Sequence, residues 1–288
     1  MGRLGGAARE LILARDDMEL VECFTRANAD TLIEFKDKID VLLVCVGSSH
    51  DAPIITPEIA KNFSTVDSFD THAELGTYME NIKANQGEGL VSVVGTGWDP
   101  GMLSLQRLLL LPIMGNVETF WGPGVSLGHS NAVRAIKGVQ SAIQFTIPRR
   151  SAIRNVRRGK TVNSQDKHRR LCYVVAPIDE YRRIAQEIKG MPHYFAPYKT
   201  TVKFISQAKF DAKFQGRQEH TGRVIARDDK SLAEFSLKIG SNPHWTAGAM
   251  LGYTVAAWNL KREGQSGVFT VADIAPRLLH KKCVLEVI

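Results

Sequence analysis

Two aspartates stand where chemistry is expected. Asp70 lies in "VDSFDTHAEL" (66–75) and Asp99 in "GTGWDPGM" (95–102), each just past a short apolar run that reads as a β-strand. In an open parallel sheet ligands bind beyond the carboxyl ends of the strands, so both carboxylates would face one ligand edge. Paired carboxylates there favour a cationic group such as an ammonium. Each also has a plainer use: Asp70 or Thr71 as a helix N-cap, and Asp99-Pro100 as an N-cap followed by a first-turn proline. Trp98 is harder to explain as a cap accessory, because a large aromatic at a sheet edge commonly walls a pocket. Further on, "TFWGPGVSLGHSNAVRAIKGVQSAIQFTIP" (119–148) sets Trp121 and His129 among glycines 122, 124, 128 and 138, which suits backbone that approaches a ligand. His129 alone reads as structural. No cluster has metal-ligand spacing, and no metal is expected.

A second chemistry concerns phosphate. Gly2 and Gly5 in "MGRLGG" have the spacing of the second and third glycines of a dinucleotide fingerprint, and a helical pattern follows over 4–15. By itself this could be a loose glycine-rich terminus. The strand-like "ELVECFT" (19–25) follows at βαβ spacing, and Thr25-Arg26 falls about 20 residues past the loop, where the adenosine ribose is met. An arginine there suits the 2′-phosphate of NADP, since a guanidinium forks a phosphate. In "CVGSSHDAP" (45–53) Ser48 and Ser49 either serve the cofactor or cap the next helix.

These residues need a scaffold of strand ends. Runs 19–25, 40–46, 64–69 and 89–95 read as strands buried on both faces, with helical patterns at 4–15, about 57–63, 72–86 and 101–111. Alternation of this kind implies a parallel sheet. Beyond about residue 115 the runs 172–177, 198–206, 220–228 and 233–240 show polar alternation, typical of an antiparallel or mixed sheet, and helices are predicted over 179–190 and 244–264. The expected fold class is α/β: a dinucleotide-type parallel-sheet domain followed by an α+β domain with a mixed sheet.

The chain of 288 residues carries a net charge of +7, unevenly distributed: 11 Lys and Arg against 18 Asp and Glu over 1–148, and 26 against 12 over 149–288. The densest stretch, "RRSAIRNVRRGKTVNSQDKHRR" (149–170), has no aromatic on which to stack a base and reads as a solvated loop, so no nucleic-acid partner is expected. The longest apolar run, "LLLLPI" (108–113), is far short of the ~18–20 residues of a membrane span. The N-terminus has no secretory pattern. Cys23, Cys45, Cys172 and Cys283 are widely spaced, Cys23 and Cys45 in strand-like runs where cysteine acts as a small hydrophobe, and a reduced, cytoplasmic chain is expected.

Residues 95–148 resemble one family closely. "TGWDPGM", "TFWGPGVSLGHS" and "GVQSAIQFTIP" are similar to the signature stretches of meso-diaminopimelate dehydrogenase, and the likeness continues through "DDMELVECFTR", "VDSFDTH", "HRRLCYVV", "MPHYF", "NPHWTA" and "GQSGVFTVADIAPRLL". The resemblance implies a Rossmann-like NADP-binding domain over 1–118 with part of 243–288, and a substrate-binding and dimerisation domain over 119–242, in a homodimer. It implies reversible oxidative deamination of the D-centre of meso-2,6-diaminopimelate to L-2-amino-6-oxopimelate and ammonia, in lysine and diaminopimelate biosynthesis. Asp70, Trp98, Asp99, Trp121 and Gly128 match positions around the reacting D-centre, with Asp70 and Asp99 as the catalytic pair. Thr146, Arg170, His220 and Asn242 match those that hold the distal L-centre, Arg170 as the carboxylate partner. Gly2, Gly5, Thr25, Arg26 and the 45–49 turn (Cys45, Gly47, Ser48, Ser49) match the cofactor site.

Departures from the family shape further expectations. The first strand and first glycine of the fingerprint are absent from this sequence, and Ala27 replaces a second arginine, which weakens the grip on a 2′-phosphate. Leu127 stands at a position usually glutamine and Asn131 at one usually aspartate. A leucine removes a hydrogen-bonding group and relaxes selectivity for a polar substrate. Two alternatives follow: a relaxed-specificity D-amino acid dehydrogenase, or a shortened, non-catalytic homologue that retains binding or dimerisation.

Overall fold

The structure is a computed structural model that describes residues 1–280 except 49 and 193. The chain divides into two compact units, one made of Met1–Leu105 with Pro243–Ile288 and the other of Gln106–Asn242. The first unit begins with helix α1 (Arg3–Leu13) and alternates β1 (Leu42–Val44), α2 (Ala52–Ala60), β2 (Thr65–Asp67), α3 (Leu75–Asn85) and β3 (Val91–Val94). Helix α4 (Met102–Met114) runs across the division, so the boundary falls inside a helix rather than at 118.

The second unit is built of strands β4 (Val117–Trp121) and β5 (Gly124–Val125), helix α5 (Leu127–Arg134), β6 (Ser141–Pro148), α6 (Arg150–Arg157), α7 (Ser164–Lys167), β7 (His168–Val175), α8 (Tyr181–Gly190), β8 (Lys199–Phe204), α9 (Gln207–Phe214), β9 (His220–Arg227) and β10 (Leu232–Ile239). One sheet has the order β10-β9-β4, antiparallel throughout; the other is β5-β6-β7-β8, mixed because only β7 and β8 run parallel. Ala142, Cys172 and Val174 face Val133 of α5, Ile136 just beyond it, and Ile184 and Ile188 of α8. Full burial of a side chain such as Ile184 contributes about 1.5–3 kcal/mol.

The chain then returns to the first unit with α10 (Asn242–Arg262) and β11 (Gly267–Thr270). Its parallel sheet has the order β1-β2-β3-β11. Val66, Val91 and Val93 pack on Met250, Ala256 and Leu260 of α10, while Phe69 and Val94 pack on α2 and α3 through Ala60, Tyr78 and Ile82. Strands β2 and β3 are therefore buried on both faces, as their continuous apolarity predicts, and edge strand β1 only partly.

Two expectations are corrected. The run 19–25 is no strand: it forms no ladder, and Val21 is exposed. Its composition suits a strand, but a strand needs a neighbour to take its backbone hydrogen bonds, and among the described residues β1 is paired on one side only. The basic stretch is a loop only over 158–163; the rest forms α6, α7 and the start of β7. Ala152 and Val156, four apart on α6, are buried against Phe120 and Ile225, which makes the helix amphipathic beneath its arginines.

Candidate active site

At the carboxyl ends of β2 and β3 the backbone is organised around Asp67, which is 1% exposed. Its Oδ1 accepts from the amides of Phe69 (2.9 Å) and Gly95 (3.1 Å), and its Oδ2 from the Tyr78 hydroxyl (2.6 Å). Burial raises its carboxyl above the usual carboxylate range, and the three donors act against that rise. Asp70 is exposed, and its amide donates to Ser48 Oγ at 3.2 Å, which joins the turn after β1 to the turn after β2. Asp99 is buried and accepts from Ser104 Oγ at 3.2 Å; Trp98 beside it is half-buried.

The helices start later than predicted from these aspartates. Helix α4 starts at Met102, after Gly101, so Pro100 is not in its first turn. Gly101 has φ +127°, and a Cβ there would lie 1.8 Å from the Gly97 carbonyl oxygen, so the tight turn that carries Trp98 and Asp99 accepts only glycine. Neither Asp70 nor Thr71 caps with its side chain; Thr71 precedes a short 3-10 turn and α3 begins at Leu75.

Groups suited to a dinucleotide lie on the same unit. Gly2 is the N-cap of α1, whose first turn holds no acidic residue and no side-chain cap, and nothing stands within 4 Å of where a Gly2 Cβ would be. The exposed amides of such a helix end favour an anion. A Cβ on Gly5 would sit 3.7 Å from Cys45 Cβ, in ordinary van der Waals contact, so α1 lies against the end of β1 at this point. The Cys45 thiol is pushed up to about 12 by burial, as suits a packing group rather than a nucleophile. Gly47 leads into α2, and its carbonyl accepts from Ala52 N at 3.0 Å. Thr25 is held in a turn by Asn28 Oδ1, and the exposed Arg26 reaches Asp51 at 3.3 Å, which ties that turn to the segment after Gly47. Ser49 lies outside the described residues, as does Cys283.

In the second unit a cluster of polar groups lies on one face of β6 and β7. Arg170 is 7% exposed and pairs in register with Thr146, whose Oγ1 accepts from Arg170 Nη1 at 2.5 Å. The guanidinium lies 4.2 Å from the Tyr198 ring centroid, its Nε has no hydrogen-bond partner, and no carboxylate pairs with it among the described residues. Burial lowers its pKa from the ordinary arginine value. Gln144, two residues before Thr146, also buries an unpartnered Oε1. Gly124 pairs with Thr146, and a Cβ there would lie 2.5 Å from His220 Cα, so this glycine brings Thr146 and His220 together. Trp121 donates its amide to His168 Nε2 at 2.8 Å, with the two rings 5.3 Å apart. Gly128 is exposed at the start of α5 with open space above it, and Asn242 opens α10.

Arg170 is surrounded by neutral imidazoles. Burial, reinforced by the Arg170 charge, pushes His129 and His168 down to about 3. His220 falls to about 4 through burial, against a hydrogen bond to the Thr221 carbonyl. His168 accepts through Nε2, which fixes its proton on Nδ1.

Residues 97–241 match the family of the diaminopimelic acid dehydrogenase C-terminal domain. A curated relative, the meso-diaminopimelate D-dehydrogenase of Acetivibrio thermocellus, is 43% identical over 99% of this chain and 93% of its own. The chain belongs to the meso-diaminopimelate D-dehydrogenase family. Among solved structures, C. glutamicum DAP dehydrogenase in complex with DAP superposes with a TM-score of 0.91 at 35% identity, covering 100% of this chain and 95% of that one. An engineered D-amino acid dehydrogenase bound to NADP+ gives 0.87 at 35% identity, over 100% and 96%. This diaminopimelate dehydrogenase family member is thus an α/β oxidoreductase of the amino acid dehydrogenase class, and a nicotinamide cofactor goes with that class.

Beside the expected Arg170, the site of this dehydrogenase includes His168 and Asp67, which no motif in the sequence marks. His168 and Arg170 are two apart, and the period of a strand places both, with Cys172 and Val174, on the buried face of β7. The alternation is legible in the sequence wherever 168–175 is read as a strand. Asp67, by contrast, shows its role only through tertiary partners.

Proposed function

We propose that this chain catalyses the reversible, NADP-dependent oxidative deamination of the D-centre of meso-2,6-diaminopimelate to L-2-amino-6-oxopimelate and ammonia. The observation that carries the reading is Arg170: a buried guanidinium beside Thr146, with Nε unpaired and no carboxylate partner among the described residues. A buried unpaired cation costs several kcal/mol, and a substrate carboxylate relieves that with charge-assisted hydrogen bonds. Asp70 and Asp99 take the ammonium of the reacting centre. Holding the ammonium of the reacting centre keeps Cα–H in a reactive orientation, a proximity contribution. Loss of hydride from Cα and a proton from nitrogen leaves an imine on the substrate, which water converts to the ketone and ammonia. Bound NADP supplies the hydride acceptor. Gly2, Gly5, Cys45, Gly47 and Ser48 suit its phosphates and ribose, and Thr25 and Arg26 its 2′-phosphate.

The assay adds meso-diaminopimelate and NADP to the purified chain and follows NADPH absorbance. Turnover is expected with NADP far above NAD. No turnover, with no NADPH binding by calorimetry, would leave the non-catalytic reading instead. A second reading, relaxed specificity for D-amino acids, is favoured by Leu127, which packs beside Val125, Ile143 and Phe214 and offers no hydrogen bond. It fails if simple D-amino acids are inert while meso-diaminopimelate reacts.

A homodimer is also proposed. Leu108, Leu109, Leu111 and Ile113 on α4 are 50%, 63%, 50% and 75% exposed, an apolar face that a second copy would cover. Sedimentation should give a dimer, and Leu109→Glu with Ile113→Glu a monomer. Residence in the cytoplasm is supported by the free thiols of Cys23, Cys45 and Cys172. Among the described residues no helix is long and apolar enough to cross a membrane.

A further inference from the structure

We propose that Asp67 is a positioning residue for the reaction: one oxygen of its buried carboxylate holds the loop that carries Asp70 and the loop that carries Asp99 in a single geometry. The inference rests on the reading of Asp70 and Asp99 as ammonium ligands. Oδ1 accepts from both Phe69 N, the residue before Asp70, and Gly95 N, four before Asp99. The same residue's carbonyl oxygen accepts from Thr96 N at 3.0 Å and Thr96 Oγ1 at 2.7 Å, so the start of the second loop is fixed twice over. Oδ2 points the other way, to the Tyr78 hydroxyl of α3, whose ring stacks on Phe69 with centroids 4.1 Å apart.

The two oxygens therefore divide the work. Oδ1 couples the loops to each other, and Oδ2 anchors the carboxylate to the helix behind the sheet. Phe69 and Gly95 are buried, so removing Oδ1 leaves two enclosed N–H groups without an acceptor, and the loops must shift to satisfy them. A displacement of about 1 Å at reacting groups can change a rate by about 100-fold.

This division separates positioning from stability. Asp67→Asn keeps a carbonyl oxygen for both amides and should hold kcat/KM for meso-diaminopimelate within about threefold of wild type. Asp67→Leu, or Asp67→Ser if the leucine variant does not fold, should lower kcat/KM by about 100-fold. Tyr78→Phe removes only the Oδ2 partner; it should lower the melting temperature while kcat/KM stays within about threefold. Amide hydrogen exchange at Phe69 and Gly95 supplies a readout that needs no turnover: protection retained in Asp67→Asn and Tyr78→Phe, lost in Asp67→Leu or Asp67→Ser. If wild type shows these protections but no turnover, the functional reading has failed and not the clamp. Wild-type kcat/KM or retained protection in the folded leucine or serine variant would overturn the proposal. So would equal loss of kcat/KM in Tyr78→Phe, which would mark a general effect of stability.

Discussion

Each unit buries a charged side chain among its candidate ligand groups, and the two are treated in opposite ways. Asp67 receives three hydrogen bonds from its own unit, whereas Arg170 keeps Nε unpaired and, among the described residues, meets only neutral groups, among them Thr146, the face of Tyr198 and three imidazoles. An unsatisfied buried polar group costs about 1–3 kcal/mol, and more when charged. A fold that satisfies one such charge fully and leaves the other short has assigned them different tasks, the first to architecture and the second to a ligand. Net charge alone does not locate the second. Several other basic residues of that unit are taken up in ion pairs at or near the surface, such as Arg149 with Asp166, Arg157 with Glu234 and Lys167 with Glu118.

Arg170→Met attacks the contrast most directly. It should lower kcat/KM for meso-diaminopimelate by about 100- to 1,000-fold, mostly through KM, while the melting temperature stays level or rises, because an apolar chain replaces an unpaired ion. Steady-state kinetics and thermal unfolding check both halves. A large fall in melting temperature would show that Arg170 is as structural as Asp67.

Acid should separate the units next. His129, His168 and His220 titrate near 3, 3 and 4 in the folded chain against 6.5 for a free imidazole, so the unfolded state binds more protons between those limits. Their contribution is complete above about pH 6.5 and is lost as the pH falls towards 4. Asp67 acts in the reverse sense, since burial raises its carboxyl and favours the folded state on protonation. The melting temperature should therefore fall between pH 6.5 and 4, less steeply in His168→Gln, which keeps an acceptor for Trp121 N without the titration. An unchanged slope in that variant would exclude His168 as a source.

Leu127→Gln is the mildest test. Exposing an amide to the cluster of Val125, Ile143 and Phe214 should cost about 1 kcal/mol, and preference for meso-diaminopimelate over D-alanine should rise by about tenfold or less. Competition kinetics would show the change, and a ratio that does not move would remove Leu127 from specificity.

Much of the first unit was legible because its strands are apolar throughout and its aspartates stand just past them. The end of Val66-Asp67 could be seen; that Asp67 turns inward to two amides could not, since those partners arrive from other segments. The 19–25 run shows the limit of composition: its largely apolar run suits a strand, yet pairing is a property of neighbours. On α6 the arginines obscured the Ala152 and Val156 spacing that makes the helix. In the second unit Thr146 and Arg170 were identified through family likeness, while their cross-strand pairing, and the three histidines around the guanidinium, depend on register.

The first unit is assembled from two separated stretches, and β3 is completed on one side by Gly267–Thr270. During synthesis the N-terminal stretch must wait until all of Gln106–Asn242 and the long helix α10 have been made. At about 5–20 residues per second that delay is roughly 10–35 s. The inserted unit, whose strands pair within one continuous stretch, can fold during that interval. The buried strand edge at Val91–Val94 meanwhile stays open, which makes the nascent chain a natural client for chaperones that shield unpaired β-structure.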